Sequence, residues 1–145
     1  MGQDTPLNDM LVLLNLARGR KARRILEVGT YRARTTYALH LNCPEAAIVS
    51  YDIAIQDSPF RRELLKAANV QLRNASFVAS AETLRKEARF DFIFVDASHR
   101  FEQFQGMSEK PLNRCPQCVG AVRRMIGWGA AIIVRDTPRC QQPVG

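Results

Sequence analysis

The sequence is short of several things, and each shortage excludes a class. No apolar run approaches the roughly 18 residues of a membrane helix, so no spanning segment is expected. The opening residues, MGQDTPLNDM, lack the basic stretch of a secretion signal, and the protein reads as cytoplasmic. Gly2 follows Met1, but Pro6 stands where the myristoylation pattern wants Ser or Thr, which argues against a lipid anchor. There is no internal repeat and no low-complexity tract. At 145 residues the chain has room for one domain, residues 1–145.

Cysteines number four: Cys43, Cys115, Cys118 and Cys140. A structural zinc site needs four ligands, usually as two pairs. CPQC is a single pair, and the second would need Cys140 together with Cys43 or a distant histidine. CPQC also follows Pro111 and Asn113 rather than a strand, where redox pairs open a helix, so reduced, inert thiols are expected. Acidic charge is in deficit, leaving a net charge of +7. Its densest source is Arg18, Arg20, Lys21, Arg23 and Arg24. Such a cluster attracts phosphates, but no aromatic residue is interleaved to stack bases. It reads as a solvated loop ahead of a buried strand, with a nucleic-acid partner as the unfavoured alternative.

What is present is alternation. Thr5-Pro6 is a helix start, an N-cap followed by proline, and Leu7, Met10, Leu11 and Leu14 then recur at helical spacing. Five apolar runs follow, at Arg24 to Val28, Ala47 to Tyr51, Val70 to Val78, Phe90 to Val95 and Ala130 to Val134. Their continuous apolar character suits strands covered on both faces. Helical patterns lie between them, at Thr35 to Leu41, Pro59 to Ala68 after Ser58, Ala81 to Ala88 after Ser80, and Phe101 to Leu112. Arg123 to Ile126 reads as a short helix, with Gly127 ending it and Trp128 packing on the sheet edge. The expected fold is therefore α/β: a doubly wound, Rossmann-like, mostly parallel sheet of about five strands.

In such a sheet ligands bind beyond the carboxyl ends of the strands, where strand order reverses. The first run ends in Glu27 and Gly29, the second in Asp52, the fourth in Asp96 and the fifth in Asp136. The third ends near Ser80 and Glu82. Helix capping accounts for one or two of these acids and less easily for all of them. Like charges crowded on one rim are costly unless cations or donors share the space.

The stretch ILEVGTYRARTT, Ile25 to Thr36, carries one glycine where a dinucleotide loop wants three. Bulky Tyr31 and Arg32 stand where backbone would have to approach a pyrophosphate. A ligand without phosphates fits better. S-adenosylmethionine is one, with an ammonium for a carboxylate, a carboxylate for the helix start near Thr35 and Thr36, and ribose hydroxyls for an acid after the second strand. Asp52, 25 residues after Glu27, is at a suitable distance for that role, although an NAD site would want it too.

ILEVGTYRARTTYAL, IVSYDI and FDFIFVDASHRFEQ resemble the class I S-adenosylmethionine-dependent methyltransferases, most closely the branch called methyltransferase family 24. The resemblance covers Ile25 to Gln103. It implies that Glu27, Gly29, Thr30, Asp52, Ile53 and Asp96 contact the cofactor, with Ser80, Ala81 and Glu82 near the adenine. Asp96-Ala-Ser-His99 resembles the D-x-x-H of metal-dependent O-methyltransferases. That implies Asp96 as a magnesium ligand with Asp136, and His99 as general base beside Asp96 in the catalytic pair. Arg135 stands where those enzymes carry a second acid. The implied reaction is O-methyl transfer to a small-molecule acceptor, a sugar or natural-product hydroxyl. Past Gln103 the likeness decays, and only TPRCQQPVG follows Asp136, where the family places a C-terminal hairpin. The hairpin is therefore expected to be missing, with the chain truncated or the fifth strand covered by another copy in a homo-oligomer. A cofactor-binding or association domain without activity, and an RNA-directed methyltransferase, are the alternatives. DASH in place of the Asn/Asp-Pro-Pro-aromatic sequence argues against the latter.

Overall fold

A computed structural model describes residues 4–76, 80, 83, 86–87 and 90–96, and the backbone of 122–126 and 130–134. The described elements run α1 (Leu7–Gly19), β1 (Arg24–Val28), α2 (Arg34–Asn42), β2 (Ala47–Asp52), α3 (Pro59–Leu64), β3 (Val70–Asn74), β4 (Phe92–Val95), β5 (Val122–Ile126) and β6 (Ala130–Val134). The strands form one sheet in the order β3-β2-β1-β4-β6-β5. The first four are parallel, and β1 lies between β2 and β4, with Glu27 opposite Ser50 on one side and Phe94 on the other. The chain moves outward from β1 to β2 to β3, then returns to the far side of β1. The reversal lies between β1 and β4, at their carboxyl ends.

Apolar residues stand on both faces of these strands because both are covered. Ile25, Ile48, Phe92 and Phe94 are buried with Leu13 and Ala17 of α1, Leu39 of α2 and Leu64 of α3. Leu26, Val28, Val49, Tyr51, Ile93 and Val95 are buried on the other face. Ser58 caps α3 as its sequence implies, accepting from the Arg61 amide at 3.0 Å, although the helix stops at Leu64, short of Ala68. The helical patterns at 81–88 and 101–112 lie largely or wholly outside the described residues.

Three expectations are corrected. Helix α1 buries Met10, Leu13 and Ala17, whereas Leu7 and Leu11 are 60% and 52% exposed. Leu13 and Ala17 are buried in one cluster with Ile25, Leu39 and Phe92, so the inward stripe is rotated from the leucine stripe. Thr5 does not cap α1. Pro6 takes the cap position without a side-chain bond, and the Thr5 hydroxyl serves the site described below. Finally, Ala130–Val134 is not a fifth parallel strand, and Arg123 to Ile126 is not helical. Strand β6 runs antiparallel to β4 and pairs with β5 as its antiparallel neighbour. Only Gly127, Trp128 and Gly129 separate the two strands, too few for the crossover of a dozen residues that parallel neighbours require. An antiparallel hairpin is thus present, built from residues before Arg135 rather than after Asp136.

Candidate functional site

Strand β1 ends in a turn that no ordinary residue sequence enters easily. Gly29 has φ 107°, a conformation open to glycine and strained for other residues. Tyr31 (φ 48°) and Ala33 (φ 62°) are left-handed as well, and such non-glycine positions cluster where a turn is held by its surroundings. The restraints are visible. The amides of Gly29 and Thr30 donate to the Tyr51 carbonyl at 2.8 and 3.3 Å, and the Ala33 amide donates to the Thr30 carbonyl at 2.7 Å. The Ser58 hydroxyl donates to the Arg32 carbonyl at 2.5 Å, and the Gln56 amide to the Tyr31 carbonyl at 2.9 Å. The turn is thereby fastened to the end of β2 and the start of α3.

Asp52 closes the turn from the β2 side. Its Oδ2 accepts from the Tyr31 amide at 2.7 Å and its Oδ1 from the Ala54 amide at 3.0 Å. Backbone donors thus hold both oxygens in place, and each retains a further lone pair for another donor. Ile53, next in sequence, is 76% exposed, an apolar side chain presented beside a fixed carboxylate.

Glu27 lies beneath the turn and is fully buried. Its Oε2 accepts from the hydroxyls of Thr36, at the start of α2, and Ser50, the latter at 2.6 Å. Ser50 has one proton and gives it to Glu27, so in the 2.7 Å contact between Ser50 and Thr30 the Thr30 hydroxyl donates. Oε1 has no hydrogen-bond partner among the described residues. Burial pushes the carboxyl up to about 7; the hydroxyl bonds pull it down, and the charges of Asp96 and Asp52 raise it further. The three acids therefore share one rim, close enough to feel one another.

Asp96 extends β4 by donating its amide to the Val28 carbonyl at 2.7 Å. Its Oδ2 accepts from the Thr5 hydroxyl at 3.1 Å, and Thr5 in turn accepts from Thr35 at 3.0 Å. Thr5 and Thr35 are both buried. A segment ahead of α1 is thus joined to the β4 rim and the start of α2, a connection that sequence reasoning missed.

A sequence profile described as O-methyltransferase matches residues 4–113. The chain belongs to the O-methyltransferase family. No match is found among curated proteins. Solved structures with the same fold include a candidate O-methyltransferase from Klebsiella pneumoniae, with 19% identity and a TM-score of 0.61 over 94% of this chain and 84% of that one. Another is the O-methyltransferase TomG of Streptomyces achromogenes, involved in tomaymycin synthesis and solved with S-adenosylmethionine; it has 17% identity and a TM-score of 0.58 over 90% and 81%. An O-methyltransferase from Bacillus cereus, solved with S-adenosylhomocysteine, has 17% identity and a TM-score of 0.57 over 92% and 83%.

In this O-methyltransferase, Glu27, Gly29, Thr30, Asp52, Ile53 and Asp96 all stand at the carboxyl ends of β1, β2 and β4 or just beyond them. Ser80 follows β3 and is bound locally, its amide and hydroxyl donating to the Ser76 carbonyl at 3.1 and 2.8 Å. Ala81, Glu82, His99 and Asp136 lie outside the described residues, as do Cys115, Cys118 and Cys140. Among the described residues no group of three or more His, Cys, Asp and Glu gathers to hold a metal. No helix among them is long and apolar enough to cross a membrane.

Proposed function

We propose that this chain, acting as a single domain, transfers a methyl group from S-adenosylmethionine to a hydroxyl oxygen of a small molecule such as a sugar or natural product. The observation that carries the reading is the Asp52 carboxylate, fixed by two backbone amides beside a one-glycine turn at the reversal of strand order. The residues fit the ligand piece by piece. Asp52 is an acceptor for both ribose hydroxyls. Ile53 offers an apolar face to the adenine, and Ser80, Ala81 and Glu82 are the residues that the family resemblance assigns to the same ring. The turn at Gly29 and Thr30 receives the amino-acid end. Oε1 of Glu27 is a buried acceptor without a partner, and an ammonium group satisfies it directly or through water. That S-adenosylmethionine and S-adenosylhomocysteine occupy two structures of the same fold supports the choice.

The sulfonium supplies the methyl group. The protein's own task is to hold the acceptor oxygen in line and remove its proton. Asp96 stands at the β4 rim, oriented by Thr5, and His99 follows it by three residues. Asp96 orients the acceptor hydroxyl and His99 takes its proton in this reading. Calorimetric titration with S-adenosylmethionine tests it: wild type gives saturable heat, and Asp52→Ala weakens binding about tenfold or more, as loss of a charge-assisted bond predicts. An absence of heat from the wild-type protein would end the reading.

The basic cluster gives an RNA-directed reading little support. Arg23 precedes β1 and Arg24 opens it, at the opposite end of the strand from the carboxylate rim, and Arg23 is engaged on the surface by Glu45 at 3.0 Å.

A further inference from the structure

Glu27 is a carboxyl with an unusual division of labour between its oxygens. One oxygen takes two hydroxyl donors, Thr36 from α2 and Ser50 from β2; the other takes none among the described residues. The side chain is fully buried, so water does not replace the missing donor in bulk. Among the described residues the charged groups acting on it are Asp52 from β2 and Asp96 from β4, both negative; α2 meets it with the neutral Thr36 and β2 with the neutral Ser50, which Thr30 of the turn contacts. Among the described residues only the two hydroxyl bonds favour an ionised Glu27. A cation arriving above the turn changes that balance.

We propose that Thr36 and Ser50 are positioning residues that hold Glu27 with Oε1 as a proton-exchanging acceptor, so that cofactor binding and loss of the Glu27 proton are one linked event. This rests on the methyl-donor reading above and deepens it. In the empty protein near neutrality part of the population carries a proton on Glu27. When the ammonium of the ligand arrives, the carboxyl O–H bond breaks, the proton passes to the buffer, and the carboxylate accepts from the ammonium. The hydroxyls of Thr36 and Ser50 remain on Oε2 throughout, keeping the charge on a carboxyl that would otherwise stay neutral. They set the pH at which binding becomes strong. The partly raised Glu27 carboxyl agrees with this assignment.

The test is calorimetric titration with S-adenosylmethionine in two buffers of different protonation enthalpy, from pH 6 to 8.5, on wild type, Glu27→Gln, Thr36→Val and Thr36→Ser. The α-amino group of the ligand titrates in the same range, so the quantity read is the difference between wild type and Glu27→Gln. Wild type is expected to release about half a proton more than Glu27→Gln at pH 7, nearly one more at pH 6 and almost none more at pH 8.5. Thr36→Val keeps the shape of threonine and loses the hydroxyl. Its release profile moves to higher pH, and its affinity falls several-fold at pH 7 but approaches wild type at pH 8.5. Thr36→Ser restores both. Equal proton counts in wild type and Glu27→Gln, with binding intact, overturn the linkage and leave the methyl-donor reading standing. An affinity loss in Thr36→Val that is the same at every pH shows a structural role alone and also overturns it. Should Glu27→Gln fail to fold, the pH profile of Thr36→Val decides by itself. No heat from wild type at any pH sinks this inference together with the reading beneath it.

Discussion

Glu27 has an ordinary carboxyl value of 4.5 and a folded value of about 7. The folded state therefore holds its proton more tightly than the unfolded chain. Its contribution to stability is fully present below about pH 4.5 and is lost as pH rises through 7. The loss is of the order of 3 kcal/mol for a shift of this size. The ligand-free protein should accordingly melt at a lower temperature at pH 8 than at pH 6, and Glu27→Gln should flatten that difference. Scanning calorimetry at the two pH values checks this; an equally steep fall in the variant refutes it. His99 carries a separate prediction. If it removes the acceptor proton, His99→Ala lowers the methyl-transfer rate by about 10² to 10⁴ while cofactor affinity stays within about twofold. Of these residues, Glu27, Asp52 and Asp96 were legible because a strand end is readable from a short apolar run. Thr5, Thr36 and Ser50 were not, because a hydroxyl's partner depends on inter-strand register. Ser50 meets Glu27 only because β2 aligns with β1 so that the two residues are opposite.

At the scale of elements, the turn between β1 and α2 is the most constrained piece. Gly29→Ala places a Cβ on a backbone at φ 107° and is expected to destabilise the protein by about 1–3 kcal/mol. Because the same turn receives the ligand, cofactor affinity should fall with it, as chemical denaturation and titration would measure. A variant with unchanged stability would show that the turn relaxes to another conformation. The elements themselves were largely readable: β1 is found at the residues where its apolar run lies, and α2 and β2 fall within one residue of theirs at either end. The failures have particular causes. Leu7 and Leu11 match helical spacing as well as Met10 and Leu13 do, and spacing does not say which stripe faces the sheet. Arg123 to Ile126 contains residues acceptable to helix or strand, and the deciding partner, Ala130–Val134, is tertiary.

At the scale of the whole molecule, the basic cluster and the three rim acids stand toward different ends of β1 among the described residues. Basic residues gather at and just before its first residue, beside Asp91 and Glu45, while Glu27, Asp52 and Asp96 stand at the carboxyl ends of β1, β2 and β4. Joint replacement of Arg18, Arg20, Lys21 and Arg23 by glutamine should weaken retention on heparin at low salt and leave S-adenosylmethionine affinity within about twofold. A large loss of cofactor binding would show that the basic cluster is part of the same site. The overall layering was legible because alternating strands and helices admit few arrangements. The antiparallel finish was hidden by a family expectation about where the hairpin should lie.

A fully enclosed acid with one oxygen unpartnered among the described residues also makes the empty protein its own weak point. Any occupant that complements Glu27 props up the fold as well as filling the pocket. Where transiently opened chains are cleared by proteases, supply of the methyl donor would then lengthen the life of each copy. Scarcity of the donor would then thin out the enzyme population as well as leave its sites unfilled.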